Sequence, residues 1–468
     1  MTTSLKAKLL PQLLGASLLL FFAMGTAYGD DNRVYVDGQV IVQCFNPLDL
    51  AAIAAQYTLD PAPISQVGDP PVYLLHILSN QTPPQVVDAM AGDTRIVFRE
   101  VNRILSMAER EGLPWTQGRS WAIGRSWAIG GSGKGYAKQY FPLRIRLNEA
   151  FAAAGTRGRR VINGIDNGPP VVVAVLDTGI DLNHPAFAGH LVPQSDMWDF
   201  VDDDNNPSEV GTIHVDPSFG HGTHVAGIVA LTVPDAKIMP LRILGPDGSG
   251  ELWRISAALI WAANHGADVV NMSIGYPEPV RLLHDLLDCV DVGNSGGTTF
   301  PEIGTHRLAV TVASGNGGTT SCPTCPIYPG AEGADGKITV AASTRYDSLA
   351  SFSTYNRSWV KLSAPGENII SALPGGRYGV WSGTSMAAPI AAGVTALYKA
   401  RYPDAFPFPH LLLEQIKETS VDKRFTLQPW GEVRLMRVDA LCAVTNNVGC
   451  PIPPLRPQQF GPVDIQPE

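Results

Sequence analysis

The alternation of apolar and polar positions divides the chain into stretches of different texture. Residues 30 to about 105 read as a small mixed unit. Val34–Val42 alternates around Asp37-Gly38, and Leu48–Tyr57 has a helical Ala/Ile spacing. Val72–Leu78 and Val97–Leu105 read as strands on either side of a Pro84–Ala91 helix. From Leu143 the pattern changes. Val171–Leu176 is a continuous, Val-rich run, which predicts a strand buried on both faces, and it ends at Asp177-Thr178-Gly179. Helices are predicted over His221–Ala230, Leu252–His265 and Ser385 to about Ala400. Further strands are predicted over Lys237–Leu244, Asp268–Ile274, Leu308–Ala313 and Ile338–Ala342. A Leu411–Thr419 helix, a short strand pair and a helix near Val438–Val444 follow. Strands alternating with helices over about 300 residues imply an α/β fold with a parallel sheet covered on both faces. Ligands bind such sheets just past the strand C-termini, where Asp177, Ser273 and Asn316 fall.

Composition sharpens this picture in a few places. Of 468 residues, 45% are hydrophobic and 16% charged, enough apolar material for a large core. A net charge of −9 without a basic patch argues against nucleic acid as the partner. Lys6, Lys8, the apolar run Leu13–Met24 and the small residues Ala27 and Gly29 have the layout of a secretory signal peptide over 1–29. The run is shorter than the ~18 apolar residues of a membrane span, so the expectation is an exported chain with no membrane attachment after cleavage. Of six Cys, five lie beyond residue 100, which leaves one thiol over. Cys322-Pro-Thr-Cys325 lacks a second ligand pair and reads as a loop staple rather than a metal site.

Between the two textures lies a linker, residues 106–140, in which Gly118-Arg-Ser-Trp-Ala-Ile123 is repeated at once as Gly124-Arg-Ser-Trp-Ala-Ile129. Two copies are too few for a repeat architecture. An exposed, tolerant loop is the plainer reading, and such loops are where proteolytic nicking concentrates. The predicted layout closes with a main domain over 141–445 and a Pro-rich tail over 446–468.

The candidate chemistry rests on four residues. A Ser hydroxyl is a weak nucleophile until an imidazole removes its proton and a buried carboxylate orients that imidazole. A further donor must meet the oxyanion that forms. Asp177 ends a buried strand, His221 begins His221-Gly-Thr-His-Val-Ala-Gly227, Asn316 sits in Ala313-Ser-Gly-Asn-Gly-Gly318, and Ser385 starts a helix. Each has a plain structural alternative: a turn cap for Asp177, a structural or metal-binding His, a turn residue at Asn316, and a helix N-cap for Ser385.

Val173-Ala-Val-Leu-Asp-Thr-Gly-Ile-Asp181, His221-Gly-Thr-His-Val-Ala-Gly227 and Gly383-Thr-Ser-Met-Ala-Ala-Pro389 resemble the three active-site motifs of the subtilisin-like serine proteases (peptidase S8), in that family's order. Ser314-Gly-Asn-Gly317 resembles the family's oxyanion segment, whose Asn is an established oxyanion donor in subtilisin. The resemblance implies a three-layer α/β fold with a mainly parallel seven-stranded sheet, preceded by a small α+β, ferredoxin-like prodomain over 30–105. It implies a serine-type endopeptidase that needs no cofactor for its chemistry. Asp177 would orient His221, His221 would act as base and then acid, Ser385 would attack, and Asn316 would bind the oxyanion. Polypeptide substrate would lie extended against Gly248, Ser249 and Gly250 on one side and Ser273, Ile274 and Gly275 on the other. A His base implies a neutral to alkaline working pH. The N-terminal unit would be an intramolecular inhibitor, cut off by the enzyme itself between Ile104 and Tyr140, and the mature protein is expected to be a secreted monomer. A protease dedicated to one partner, and a non-catalytic binding protein on the same fold, are the alternatives.

Two departures from the family pattern matter. Leu231–Ala236 is too short to hold the Asn-containing calcium loop of many subtilisins. Asp199, Asp202, Asp204 and Asn206 instead resemble a different calcium loop of thermitase-like members, with oxygen ligands suited to Ca²⁺. A solvated acidic turn is the other reading. Ile327 stands where subtilisin has Gly at the floor of the pocket for the residue before the cut, which implies a preference for small or medium apolar side chains there. Met386, beside the candidate nucleophile, implies sensitivity to peroxide.

Overall fold

The structure, a computed structural model, describes residues 34–107, 127–129, 132–213, 215–293, 299–318, 326–427 and 431–449. The N-terminal apolar run, the first copy of the duplication, Cys322–Cys325 and most of the Pro-rich tail lie outside the described residues. By its internal contacts the chain forms two units. The first holds residues up to Ile104 with Glu251–Trp253 and Gly297–Glu302; the second holds the rest.

In the first unit, strands Tyr35–Cys44, Ser65–Val67 and Val72–His76, and the part of strand Ile96–Met107 up to Ile104, alternate with helices Leu50–Tyr57 and Pro83–Ala89. Tyr35–Cys44 pairs antiparallel with both Val72–His76 (Val40↔Leu75) and the strand from Ile96 (Val40↔Val101). This is the β-α-β-β-α-β arrangement of ferredoxin-like units. Val40, Val42, Ile53, Leu75, Val86 and Met90 form its core, the sheet giving every second side chain and the helices one face. The Pro83–Ala89 helix starts with a capping box, Thr82 with Gln85, which two polar residues three apart encode locally.

The second unit is built on one nine-stranded sheet. Its spatial order is Val421–Leu427, Gly431–Arg437, Val360–Pro365, Lys337–Ser343, Ala309–Ala313, Val269–Met272, Val172–Asp177, Lys237–Arg242 and Trp198–Asp199. The seven strands implied by the resemblance are present, and the excess of two lies at the edges. Val421–Leu427 folds back antiparallel on Gly431–Arg437, while the two-residue Trp198–Asp199 joins Lys237–Arg242 in parallel. All other pairings in the sheet are parallel.

Helices His221–Thr232 and Thr384–Arg401 pack on this sheet and on each other. They are buried nearly all round, which is why neither has a clear apolar stripe. Helix Arg281–Val292, which the sequence pattern did not bring forward, does have one, with Leu282, Leu283, Leu286, Leu287 and Val290 all buried. Trp127–Ile129, from the second copy of the duplication, pairs antiparallel with Arg377–Trp381, the strand that leads to Ser385. Cys44 and Cys289 are buried and lie outside any disulfide, whereas Cys442 is held in one. Among the described residues no helix is long and apolar enough to cross a membrane.

Candidate active site

Three adjacent parallel strands end side by side. Val172–Asp177 delivers Asp177, Val269–Met272 delivers Ser273 one residue later, and Ala309–Ala313 runs into Ser314-Gly315-Asn316. The helix that begins at His221 comes close enough to meet the first of these only because residue 222 is Gly. A Cβ there would fall 2.0 Å from the Gly179 carbonyl oxygen. Gly179 itself turns the chain at φ +96°, a region open mainly to Gly.

Asp177 Oδ1 and His221 Nδ1 are 2.7 Å apart, with 1% and 0% of the two side chains exposed. Asp177 Oδ1 also accepts the Thr178 N–H at 2.8 Å. A carboxylate accepts, so Nδ1 carries a proton, and in the neutral ring Nε2 then keeps its lone pair, the tautomer a general base requires. His224, one turn on, does not join His221 as a metal pair. It stacks on Trp381 with ring centroids 4.6 Å apart, and its Nε2 lies 3.2 Å from the Ile369 carbonyl and 3.3 Å from that of Gly379. Burial, with His221 adding to it, pushes His224 down to about 3, so it stays neutral.

Ser385 is wholly buried in the first turn of Thr384–Arg401. The N-cap alternative fails, because the cap position is Gly383 in extended conformation. Pro389 sits inside this helix and has no N–H, so the Ser385 carbonyl four residues earlier lacks its usual partner. The Ser273 hydroxyl fills that place, donating to the Ser385 carbonyl at 3.3 Å. Asn316 is aimed by the residue before Ser385. Its Oδ1 accepts from Thr384 N at 2.9 Å and Thr384 Oγ1 at 3.0 Å, and Thr384 Oγ1 in turn accepts from Gly315 N at 3.1 Å. With the oxygen so engaged, the Asn316 amide nitrogen must point the other way.

The proposed substrate segments line a groove whose two sides meet the same short stretch of the second unit. Ile274 pairs antiparallel with Met107 and Gly275 with Ser106, while Met107 N donates to the Gly248 carbonyl at 2.9 Å. Gly248 and Ser249-Gly250 thus face Ile274-Gly275 across an extended strand, and Leu105 and Met107 are buried. Ile327 packs on Gly315, where a Cβ would lie 3.0 Å from Ile327 Cγ1. Tyr328 exchanges two backbone hydrogen bonds, 2.7 and 2.8 Å, with Tyr276. The Ile327 segment therefore connects the Asn316 turn to Tyr276, the residue after Gly275.

The acidic loop is arranged around a cation already in the chain. Arg242 Nη1 donates to Asp199 Oδ2 at 2.6 Å and Asp202 Oδ2 at 2.5 Å. Asp199 Oδ1 accepts from Val201 N and Asp202 N, Asp204 Oδ1 from Asn206 N, and Asn206 Oδ1 from the Ser208 hydroxyl. Among the described residues no three His, Cys, Asp or Glu side chains are gathered as a metal shell. As arranged, these four residues do not fit a calcium ion.

Sequence reasoning missed three neighbours of the site. Thr384, which orients Asn316, stood beside Ser385 in the motif and was legible there. Trp381 stacks on His224 and lies over His221 at an interplanar angle of 26°, with centroids 6.4 Å apart. Glu209, whose carboxyl meets the residues flanking Asp177 and His221, carried no local signal.

This geometry agrees with the chain's likenesses. Residues 168–433 match the model of the Subtilase family. The chain belongs to that family. Its members are serine-type endopeptidases, hydrolases that use no cofactor for the chemistry. It is 36% identical over 235 residues to a thermophilic serine proteinase of Bacillus sp. (strain AK1), covering 48% of this chain and 51% of that one. It is 34% identical over 272 residues to thermitase of Thermoactinomyces vulgaris, covering 56% and 82%. It is 32% identical over 325 residues to the halolysin-like extracellular serine protease Nep of Natrialba magadii, covering 67% and 52%. The subtilase thus spans about half the length of the first and third of these relatives and most of the second.

Proposed function

We propose that this subtilase is an exported endopeptidase in which Ser385 attacks the peptide carbonyl, His221 takes its proton and returns it to the leaving amine, and Asp177 holds the imidazole. The observation that carries the reading is the 2.7 Å contact of two wholly buried groups, Asp177 and His221, at the end of the central strand. The Asn316 amide N–H, with the Ser385 backbone N–H from the helix's first turn, would meet the oxyanion. Export rests on the N-terminal Lys and apolar pattern.

The chain is made, on this reading, as a precursor that cuts itself. Support comes from Ser106 and Met107, which lie as an added strand in the groove proposed for substrate. The paired register ends at Ile274, which follows Ser273, whose hydroxyl bonds the Ser385 carbonyl; the residue after Met107 in the sequence is Ala108. The bond cut would be Ala108–Glu109, one residue past Met107 in the sequence. Leu105 and Met107, with Ala108 before the cut, would then exemplify the preferred substrate: apolar side chains at alternate positions and a small one before the cut. The acidic loop around Arg242 carries no step of this proposal.

The test is the fate of the full-length chain. Wild type should yield a mature protein whose N-terminal sequence starts at Glu109 or is trimmed from there, and it should degrade casein. Ser385→Ala should keep the joined precursor. Equal sizes for both would overturn self-processing, and a first cut elsewhere in 105–140 would overturn the register. Casein left intact by a processed wild type would favour the protease dedicated to one partner.

A further inference from the structure

One carboxyl group gathers the residues on either side of Asp177 and His221. Glu209 Oε1 accepts from the Thr178 hydroxyl at 2.5 Å and from Gly220 N at 3.0 Å. Glu209 Oε2 accepts from Thr223 N at 3.1 Å and from the Thr223 hydroxyl at 2.6 Å. Thr178 follows Asp177, Gly220 precedes His221, and Thr223 is two residues beyond it. Both hydroxyls already accept a backbone N–H, Thr178 from Gly222 at 2.9 Å and Thr223 from Asp181 at 2.9 Å. Their own protons therefore go to Glu209. A ring of four donors suits a group that only accepts, the ionised carboxylate.

No Lys or Arg among the described residues pairs with Glu209, so nothing but these donors offsets its charge. Burial, together with the nearby Asp177 charge, pushes the group up to about 7 against the pull of the four hydrogen bonds. A carboxylate kept under such conditions is costly for the fold. All four bonds land within two residues of Asp177 or His221. The backbone of the same loop adds a fifth tie, Glu209 N to the Ile180 carbonyl at 3.0 Å.

We propose that Glu209 is a positioning residue for the Asp177–His221 pair. Its carboxylate clamps the turn after Asp177 to both sides of His221 and so fixes the angle at which Nδ1–H meets Asp177 Oδ1. It touches neither substrate nor nucleophile. The inference rests on the reading of Asp177, His221 and Ser385 as the triad, and it adds a fourth residue that the mechanism does not use directly.

The test compares Glu209→Gln, Glu209→Asp and Glu209→Ala in the full-length chain after processing. Each preparation is titrated with a fluorophosphonate, so that only competent sites are counted, and kcat and KM are measured separately on a peptide anilide with Ala before the cut. Glu209→Gln keeps the length but turns an NH₂ toward donors, and it should lower kcat ten- to a hundredfold at unchanged KM. Glu209→Ala should do the same, and Glu209→Asp should recover part of the loss. A Glu209→Gln kcat within twofold of wild type, kcat and KM moving together, or Glu209→Asp no better than Glu209→Ala would each overturn the proposal. If the Glu209 variants do not accumulate folded, the Thr223 pair decides. Thr223→Ser should retain more kcat than Thr223→Val, and equal values would overturn it. A wild type that neither labels nor cleaves would instead refute the protease reading on which the inference stands.

Discussion

Asn316 and Thr384 hold each other in a fixed direction: the Asn316 side-chain oxygen takes both the N–H and the hydroxyl of Thr384, at 2.9 and 3.0 Å. The nucleophile candidate is the next residue, so the turn that bears the proposed oxyanion donor and the helix that bears Ser385 are joined by one amide. Replacing Asn316 with Leu should therefore lower kcat by about 10²–10³ while KM stays near wild type. Thr384→Val should give a smaller loss of the same kind, because the backbone N–H still holds the amide. Steady-state kinetics on a soluble peptide separate the two parameters. A rise in KM alone would assign Asn316 to substrate binding instead.

The buried dyad makes a second prediction. Asp177→Asn keeps the shape but turns a donor toward Nδ1, which favours the wrong imidazole tautomer. kcat should fall by about 10⁴ with little change in melting temperature. A loss below tenfold would mean that Asp177 serves chiefly as a turn cap.

Pro389 and Ser273 are coupled through a carbonyl that neither owns. In the wild type the Ser273 hydroxyl satisfies the Ser385 carbonyl that Pro389 leaves without an N–H. Ser273→Ala should cost about 1–3 kcal/mol of stability, the penalty for a buried acceptor left unpaired. In a Pro389→Ala background the helix supplies its own N–H, and the same substitution should cost clearly less. Denaturant unfolding of the four proteins in the cycle measures the difference. Equal costs in both backgrounds would show that the hydroxyl is not filling that role.

Arg242 should matter more than an exposed ion pair. Both its side chain and that of Asp199 are only 2% exposed. Arg242→Ala leaves a buried carboxylate without its cation and should destabilise by about 3–5 kcal/mol, read from denaturant unfolding. Arg242→Ala with Asp199→Asn should recover part of that loss.

His224 gives the fold a defined response to acid. Its folded value lies near 3, below the ordinary 6.5, so between those values the unfolded chain binds a proton that the native one refuses. Stability from this group is complete above about pH 6.5 and is lost as pH falls through that window toward 3. His224→Gln should flatten the slope of melting temperature against pH over that range. An unchanged slope would place the acid sensitivity elsewhere.

The sequence carried the central strands and helices well, because their motifs are contiguous. Asp177, His221 and Ser385 each sit at an element end marked by a neighbouring Gly, and the alternation of strand and helix implied the order in which the structure lines them up. The edges were less legible. Trp198–Asp199 has two residues and no periodicity, and Val421–Leu427 pairs by folding back on a neighbour, so the sheet grew from seven strands to nine. The acidic loop was read from residue types that suit calcium, while the deciding partner, Arg242, comes from a strand some forty residues later. Glu209 was invisible for the same reason. Its role depends on Thr178, Gly220 and Thr223, which meet it only in three dimensions.

The most direct measurement of the central claim is labelling with a fluorophosphonate, followed by mass mapping of the modified peptide, in wild type and Ser385→Ala. One adduct on the peptide containing Ser385, abolished in Ser385→Ala and reduced in Asp177→Asn, is the predicted result. A folded, processed wild type that takes up no label, or label that persists in Ser385→Ala, would contradict the assignment of Ser385 as the nucleophile.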